Sequence, residues 1–249
     1  MENSAETKIS IGVCLSEFDR NIDFRFDCVG NMKESFCMLR IGTIMCNNGT
    51  FHIDKCFKEY AKACNELSIP WVGYVYLQHR TDNPQNKIFI PNYGLWDVFD
   101  EIPLALPYIV AIFDFDIPNF TIDRLDDTIQ LLGRAISHSL DKPFTMCVGL
   151  TGKCEELANH SEFKYPIYVE RLIKYNDTTI NVPNNTVLCW YYQSITEAIE
   201  LGLDGIPSFF YTADTADDKI RINLRRVYLD TAIAIGELAD AIQNYRGSV

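Results

Sequence analysis

No stretch of about 18 apolar residues occurs in this chain, so the sequence offers no membrane-spanning helix. It has no Gly-x-Gly-x-x-Gly fingerprint and no Walker loop, which removes the nucleotide cofactors that those loops cradle. No two histidines sit at helical spacing and no Cys-x-x-Cys pair occurs, so a zinc site is not expected and no cofactor is implied. Positive charge is short: 22 Lys and Arg stand against 34 Asp and Glu, a formal net charge of −12. That balance argues against a nucleic-acid partner and against an anionic membrane surface. The opening MENSAETKIS lacks the charged-then-apolar layout of a signal peptide. The expectation is a chain that is cytoplasmic at synthesis and reaches the outside by lysis or in a particle.

What is present is a sizeable core. The 249 residues are 47% apolar, with neither a low-complexity segment nor an interdomain linker, which predicts a single domain over 1–249. The nine cysteines are odd in number, and several lie in apolar runs, such as Cys37 in FCMLRI and Cys189 in VLCWYY. They read as small buried hydrophobes in a reducing compartment, without a disulfide framework. Asn-x-Ser/Thr triplets occur, as at Asn48 and Asn176, and without a signal peptide they carry little meaning.

The chain is organised around YIVAIFDFDIPN, Tyr108 to Asn119. Its unbroken apolar run, rich in β-branched and aromatic residues, predicts a strand buried on both faces of a parallel sheet. The run ends in Asp114-Phe115-Asp116. Residues i and i+2 of a strand share a face, so both carboxylates are expected at the carboxyl end of a buried strand, where α/β folds usually carry their chemistry. Two acids this close suit acid/base or glycosidic chemistry; two solvated acids at a strand exit are the alternative.

Further strands are predicted at Lys8–Ser16, Ser35–Thr43, Pro70–Gln78, Pro143–Gly149, Tyr165–Val169, Thr186–Tyr192 and Ile206–Thr212. Helices are predicted at Ile53–Leu67, Gly94–Ile102, Ile122–Leu140, Gly152–Asn159 and Ser194–Leu201, with a long closing helix over Asp217–Tyr245. Eight strands separated mostly by helical or irregular crossovers point to an irregular α/β chain, a single (β/α)₈ TIM-like barrel with a long C-terminal helix.

The order of motifs resembles the family-25 glycoside hydrolases, the lysozyme-like muramidases that cut peptidoglycan. That family opens with Gly-Ile-Asp-x-Ser, matched here by Gly12-Val13-Cys14-Leu15-Ser16, and then a turn like Asn21-Ile22-Asp23-Phe24. Leu39-Arg40 matches an Ile-Arg pair, Asp54 and Phe57 an Asp-x-x-Phe, and Gly73, Tyr74 and Tyr76 a Gly-x-Tyr-x-aromatic strand. Asp114-Phe115-Asp116 stands for Asp-x-Glu, Trp190-Tyr191-Tyr192 for Trp-Gln-Tyr, and Tyr168 for a Trp.

The resemblance implies catalytic roles for Asp114 and Asp116. It implies substrate-binding roles for Tyr74, Tyr76, Arg40, Trp190, Tyr192, Cys14 and Ser16. For the four aromatics, core packing is the competing reading; for Arg40, a surface salt bridge. The departures fall on the chemistry. Cys14 replaces the first-strand Asp, and a thiol carries no carboxylate charge near neutral pH unless its pKa is strongly lowered. A nucleophilic role for Cys14 lacks an activating histidine, and a buried thiol is the alternative. Asp116 replaces the acid Glu and is one methylene shorter. A shortfall of roughly 1 Å can cost ~10²-fold in rate. Asp204 is the candidate for the family's late acid.

The expected function is therefore a muramidase-like barrel engaging peptidoglycan or a related β-1,4-linked glycan, with hydrolysis weak or lost. Two alternatives stay open: an active muramidase using Asp116 as acid and Asp114 as stabiliser, and a structural or assembly protein with protein partners in a phage or secretion particle.

Overall fold

A computed structural model of the chain describes residues 7–18, 26, 35–80, 86–91, 98–140, 142–172, 179–183, 185–192, 211–216, 219–224 and 230–246. The strands are β1 (Ile9–Leu15), β2 (Ser35–Met45), β3 (Thr50–Ile53), β4 (Trp71–His79), β5 (Tyr108–Phe115), β6 (Thr145–Thr151), β7 (Ile167–Leu172), β8 (Thr179–Pro183), β9 (Thr186–Tyr192), β10 (Tyr211–Ala216), β11 (Lys219–Leu224) and β12 (Thr231–Ile235). The helices are α1 (Phe57–Glu66), α2 (Val98–Glu101), α3 (Ile122–Ser137) and α4 (Glu237–Arg246), with a 3₁₀ helix at Gly152–Asn159.

Parallel pairing runs β1–β2–β4–β5–β6–β7–β9. β12 enters antiparallel between β9 and β1 and closes a ring of eight strands. β3 hairpins onto the edge of β2, and β10, β11 and β8 form a separate small sheet.

Alternation along the strands sorts the side chains into two cores. Outward residues such as Leu39, Trp71, Ile109, Phe113 and Val148 meet the helices, where Phe57, Tyr60, Ala61 and Cys64 of α1 and Leu125, Ile129, Leu132 and Ile136 of α3 form the expected stripes. Inward residues, among them Phe36, Met38, Val72, Tyr74, Val110, Ile112, Tyr168 and Leu188, fill the barrel. Large inward side chains sit laterally beside small ones: Phe36 pairs with Gly12, Tyr168 with Gly149 and Trp190 with Ala232. A Cβ on Gly12 would lie 2.2 Å from the Phe36 carbonyl oxygen. That oxygen is main chain at the β1–β2 seam and cannot swing aside. Gly12→Ala is expected to cost about 1–3 kcal/mol, read as a lower denaturation midpoint.

The second half departs from the sequence expectation. Asp217–Tyr245 is not one long helix: it contains β11, β12 and the ten-residue α4. The eighth barrel strand is β12 and not Ile206–Thr212, of which the described part, Tyr211–Thr212, belongs to the small sheet. In β12, Ala232 and Ala234 face the barrel interior, while Ile233 and Ile235 pack outward with Val182 of β8. There the small sheet covers the barrel, as helices do elsewhere. Leu238, Ala239 and Ile242 of α4 join the interior cluster, so α4 closes the end where the parallel strands begin. The predicted helix Ser194–Leu201 lies outside the described residues.

Eight cysteines are buried, and among the described residues none is in a disulfide; Cys28 lies outside the described residues. Among the described residues no helix is long and apolar enough to cross a membrane.

Candidate active site

The carboxyl ends of the parallel strands form the mouth of the barrel. β2 reaches it through a bulge: Arg40 pairs with Tyr74, but Gly42 pairs with Val75, leaving Ile41 as the extra residue. The bulge flips the parity of the strand, so Arg40 and Thr43, three apart, share the inward face. Their side chains meet there, Arg40 Nη2 donating to Thr43 Oγ1 at 2.5 Å. The guanidinium also lies over two rings, Phe18 at 5.2 Å and Tyr76 at 5.6 Å. Arg40 thus stands at the mouth, and among the described residues it forms no ion pair.

Asp114 stands level with Gln78 on one side and Thr151 on the other. Arg80 Nη2 donates to its Oδ2 at 2.9 Å, and Gln78 Nε2 donates to the same oxygen at 3.4 Å. Asp116 lies past the end of β5, and its backbone N–H donates to the His79 carbonyl at 2.9 Å. The β5–β6 ladder ends at Asp114, while the β4–β5 pairing runs on to Phe115.

Across the mouth, β7 contributes Glu170. The Tyr76 hydroxyl donates to Glu170 Oε2 at 2.6 Å. Burial pushes the Glu170 carboxyl above its ordinary range and the Asp114 charge pushes the same way, against the Tyr76 hydrogen bond. Burial and Glu170 raise the Tyr76 phenol, so it stays a neutral donor. Two carboxylates in unlike surroundings thus share one mouth: Asp114 against a guanidinium, Glu170 against a phenol.

The remaining aromatics line the wall below. Tyr74 is 1% exposed, its ring 5.9 Å from Tyr76 and 6.1 Å from Trp190, and the Cys14 thiol donates to its hydroxyl at 3.5 Å. For Tyr74, core packing is where the structure places it. Cys14 is buried beside a phenol. Trp190 is half-buried on the same inward face, and the described backbone of Tyr192 pairs with Leu172. Ser16 is buried; its hydroxyl accepts the Phe18 N–H at 3.3 Å and shapes the turn that presents Phe18. Asp54 fixes that turn from beneath, accepting the N–H of Glu17 at 2.9 Å and of Cys56 at 3.0 Å. Asn21 to Phe24 and Asp204 lie outside the described residues. Among the described residues no group of three or more metal-binding side chains stands together.

Three mouth residues carry no motif of the sequence reading. Glu170 follows Tyr168 at i+2 in IYVERL, the spacing that singled out Asp114 and Asp116, but the predicted strand ends at Val169, one residue short. Arg80 follows the last residue of β4. Phe18 is 71% exposed, the highest among the exposed large hydrophobics of the described residues, and its place beside Arg40 marks it.

The closed eight-stranded α/β barrel with one antiparallel closing strand matches the barrel fold of known lysozymes. The chain is similar to the family GH25 lysozyme of Aspergillus fumigatus, with a TM-score of 0.51 and 10% identity over 94% of this chain and 98% of that one. It is similar to the catalytic domain of the endolysin ply40 from a bacteriophage of Listeria monocytogenes, with a TM-score of 0.54 and 10% identity over 94% and 97%. It is also similar to the spore cortex lytic enzyme SleM of Clostridium perfringens, with a TM-score of 0.51 and 15% identity over 94% and 69%. No family model matches the sequence, and no curated protein matches it. At such identities the likeness establishes the fold: a lysozyme-like barrel, strongly diverged in sequence.

Proposed function

We propose that this barrel engages peptidoglycan or a related β-1,4-linked glycan across its mouth, and that the strand-end pair Asp114 and Asp116 no longer carries efficient hydrolysis. The mouth surface supports the reading. An exposed aromatic, Phe18, is backed by the Arg40 guanidinium, which in turn lies on Tyr76. Aromatic faces suit the apolar faces of sugars, and Arg, Gln and Tyr supply donors for hydroxyls and acetamido groups. Asp114, held by Arg80 and Gln78, serves as a fixed negative charge, while Asp116 is both shorter than the family's Glu and past the strand end. The fold neighbours include lytic enzymes and a lysozyme, which agrees with a cell-wall glycan partner.

The test is co-sedimentation with purified peptidoglycan. The wild type is expected to pellet with the wall. Phe18→Ala is expected to bind about tenfold more weakly, the loss of one stacking contact of about 1.4 kcal/mol. Its far-UV circular dichroism should not change, since the side chain is exposed. A wild type that stays in the supernatant would sink the glycan reading and leave a structural role for the barrel.

A further inference from the structure

We propose that Glu170 is the proton donor of this barrel, delivering its proton to the glycosidic oxygen of a β-1,4-linked glycan laid across the mouth, with Asp114 facing the sugar carbon at which the bond breaks. The assignment rests on the glycan-binding reading above and moves the acid from the end of β5 to β7.

Placement carries the argument. Gly149 of β6 pairs with Tyr168 of β7, and Thr151 pairs with Asp114 of β5. The β6–β7 pairing ends at Gly149 and Tyr168, and Thr151 and Glu170 each follow two residues on, keeping the inward face that Asp114 shares. Strand spacing of about 4.8 Å puts the backbones of β5 and β7 roughly 9–10 Å apart. Both side chains point inward and the Asp114 charge acts on the Glu170 carboxyl; paired carboxylates of glycoside hydrolases work about 5–9.5 Å apart.

The surroundings match the two roles. Glu170 is faced by Tyr76 from β4, Asp114 from β5 and Tyr168 from its own strand, with Arg40 of β2 across the Tyr76 ring. None of these groups forms an ion pair with it, whereas Arg80 holds Asp114. Burial and the Asp114 charge raise the affinity of Glu170 for its proton, the direction that a general acid requires. A second feature points to a ligand. The Tyr168 hydroxyl is without a hydrogen-bond partner among the described residues, the residue is 3% exposed, and it faces Glu170 and Tyr76 inside the barrel.

The step balances. The Glu170 proton passes to the bridging oxygen, the C1–O bond breaks with its electron pair going to that oxygen, and the leaving sugar departs as an alcohol. The Asp114 carboxylate opposes the positive charge spread over C1 and the ring oxygen. Water then adds to C1 and returns a proton to Glu170. One water is consumed for each bond cut.

The experiment compares wild type, Glu170→Gln and Asp116→Asn on purified peptidoglycan, by turbidity clearing with sedimentation in the same tubes, and on an aryl β-glycoside of an N-acetylglucosamine oligomer. Gln keeps an acceptor for the Tyr76 hydroxyl, so the variant should fold. A carboxyl whose folded pKa is raised costs stability as pH climbs above the unfolded value. Glu170→Gln should therefore melt at or above the wild-type temperature at pH 7. The expected result is weak clearing by the wild type, about 10²-fold less by Glu170→Gln with pelleting retained, and much smaller loss on the aryl glycoside, whose phenolate leaves without protonation. Clearing by Glu170→Gln equal to wild type overturns the assignment. So does clearing lost in Asp116→Asn but kept in Glu170→Gln, which returns the acid to β5. A wild type that pellets but never clears overturns the proton donor and leaves the glycan reading standing. A wild type that neither pellets nor clears overturns both.

Discussion

Trp71→Ala is expected to remove about 3–5 kcal/mol of folding stability and to lower the melting temperature by roughly 10 °C or more. Trp71 opens β4, is 0% exposed and is among the largest fully buried side chains. Its ring meets Phe57 of α1 edge to face at 5.8 Å, and its indole N–H donates to Asn65 at 2.8 Å in the same helix. One side chain therefore fastens α1 to the barrel wall through both an apolar and a polar contact. Truncation opens a cavity between helix and strand and leaves Asn65 without its donor. Asn65→Ala separates the two effects: it breaks only the hydrogen bond and is expected to cost about 1 kcal/mol. A Trp71→Ala loss no larger than that of Asn65→Ala would mean that α1 does not hold to the barrel through this contact. Activity per folded molecule should be unchanged, because Trp71 faces away from the mouth.

The ease with which each part of this fold is read from sequence follows from what surrounds it. β5 is covered by helices on one side and by the filled barrel on the other, so it shows as an unbroken apolar run. α3 has one buried face and one wet face, so its 3.6-residue stripe is plain. β12 has neither signature. It is five residues of Ala, Ile and Thr, all buried, and its Ala232 and Ile235 fall by chance in helical step with Leu238 and Ile242 of α4. Alanine is there because Trp190 occupies the space beside Ala232, a tertiary demand that leaves no local trace.

The candidate site divides in the same way. Asp114 is legible because it ends a strand of unmistakable type. The inward turn of Arg40 depends on a bulge, and no feature of MLRIGT announces one. Glu170 escapes a family comparison because the match on its strand, Tyr168 for a Trp, does not extend to it. It becomes visible once Tyr168 and Glu170 are seen to share the inner face with Tyr76.

Asp114→Asn is expected to have the largest effect on hydrolysis, about 10²–10³-fold in turnover, the usual consequence of removing a preorganised charge from the transition state. The substitution is nearly isosteric, and Arg80, half-exposed at 51%, regains solvent when its partner is neutralised, so the barrel should stay folded. Its second consequence is directional. The Asp114 charge raises the affinity of Glu170 for its proton. With that charge gone, Glu170 releases its proton at lower pH. Glu170 works in its protonated form, so the alkaline limb of the pH–activity profile should move to lower pH in Asp114→Asn. A mere loss of substrate positioning would lower the whole profile without moving that limb. An alkaline limb that stays in place, or moves to higher pH, would separate the two carboxylates and leave Asp114 with no electrostatic hold on the proton donor. A limb that moves down while wall binding persists would make the β5 and β7 carboxylates one coupled pair, set on two strands of a lysozyme-like barrel.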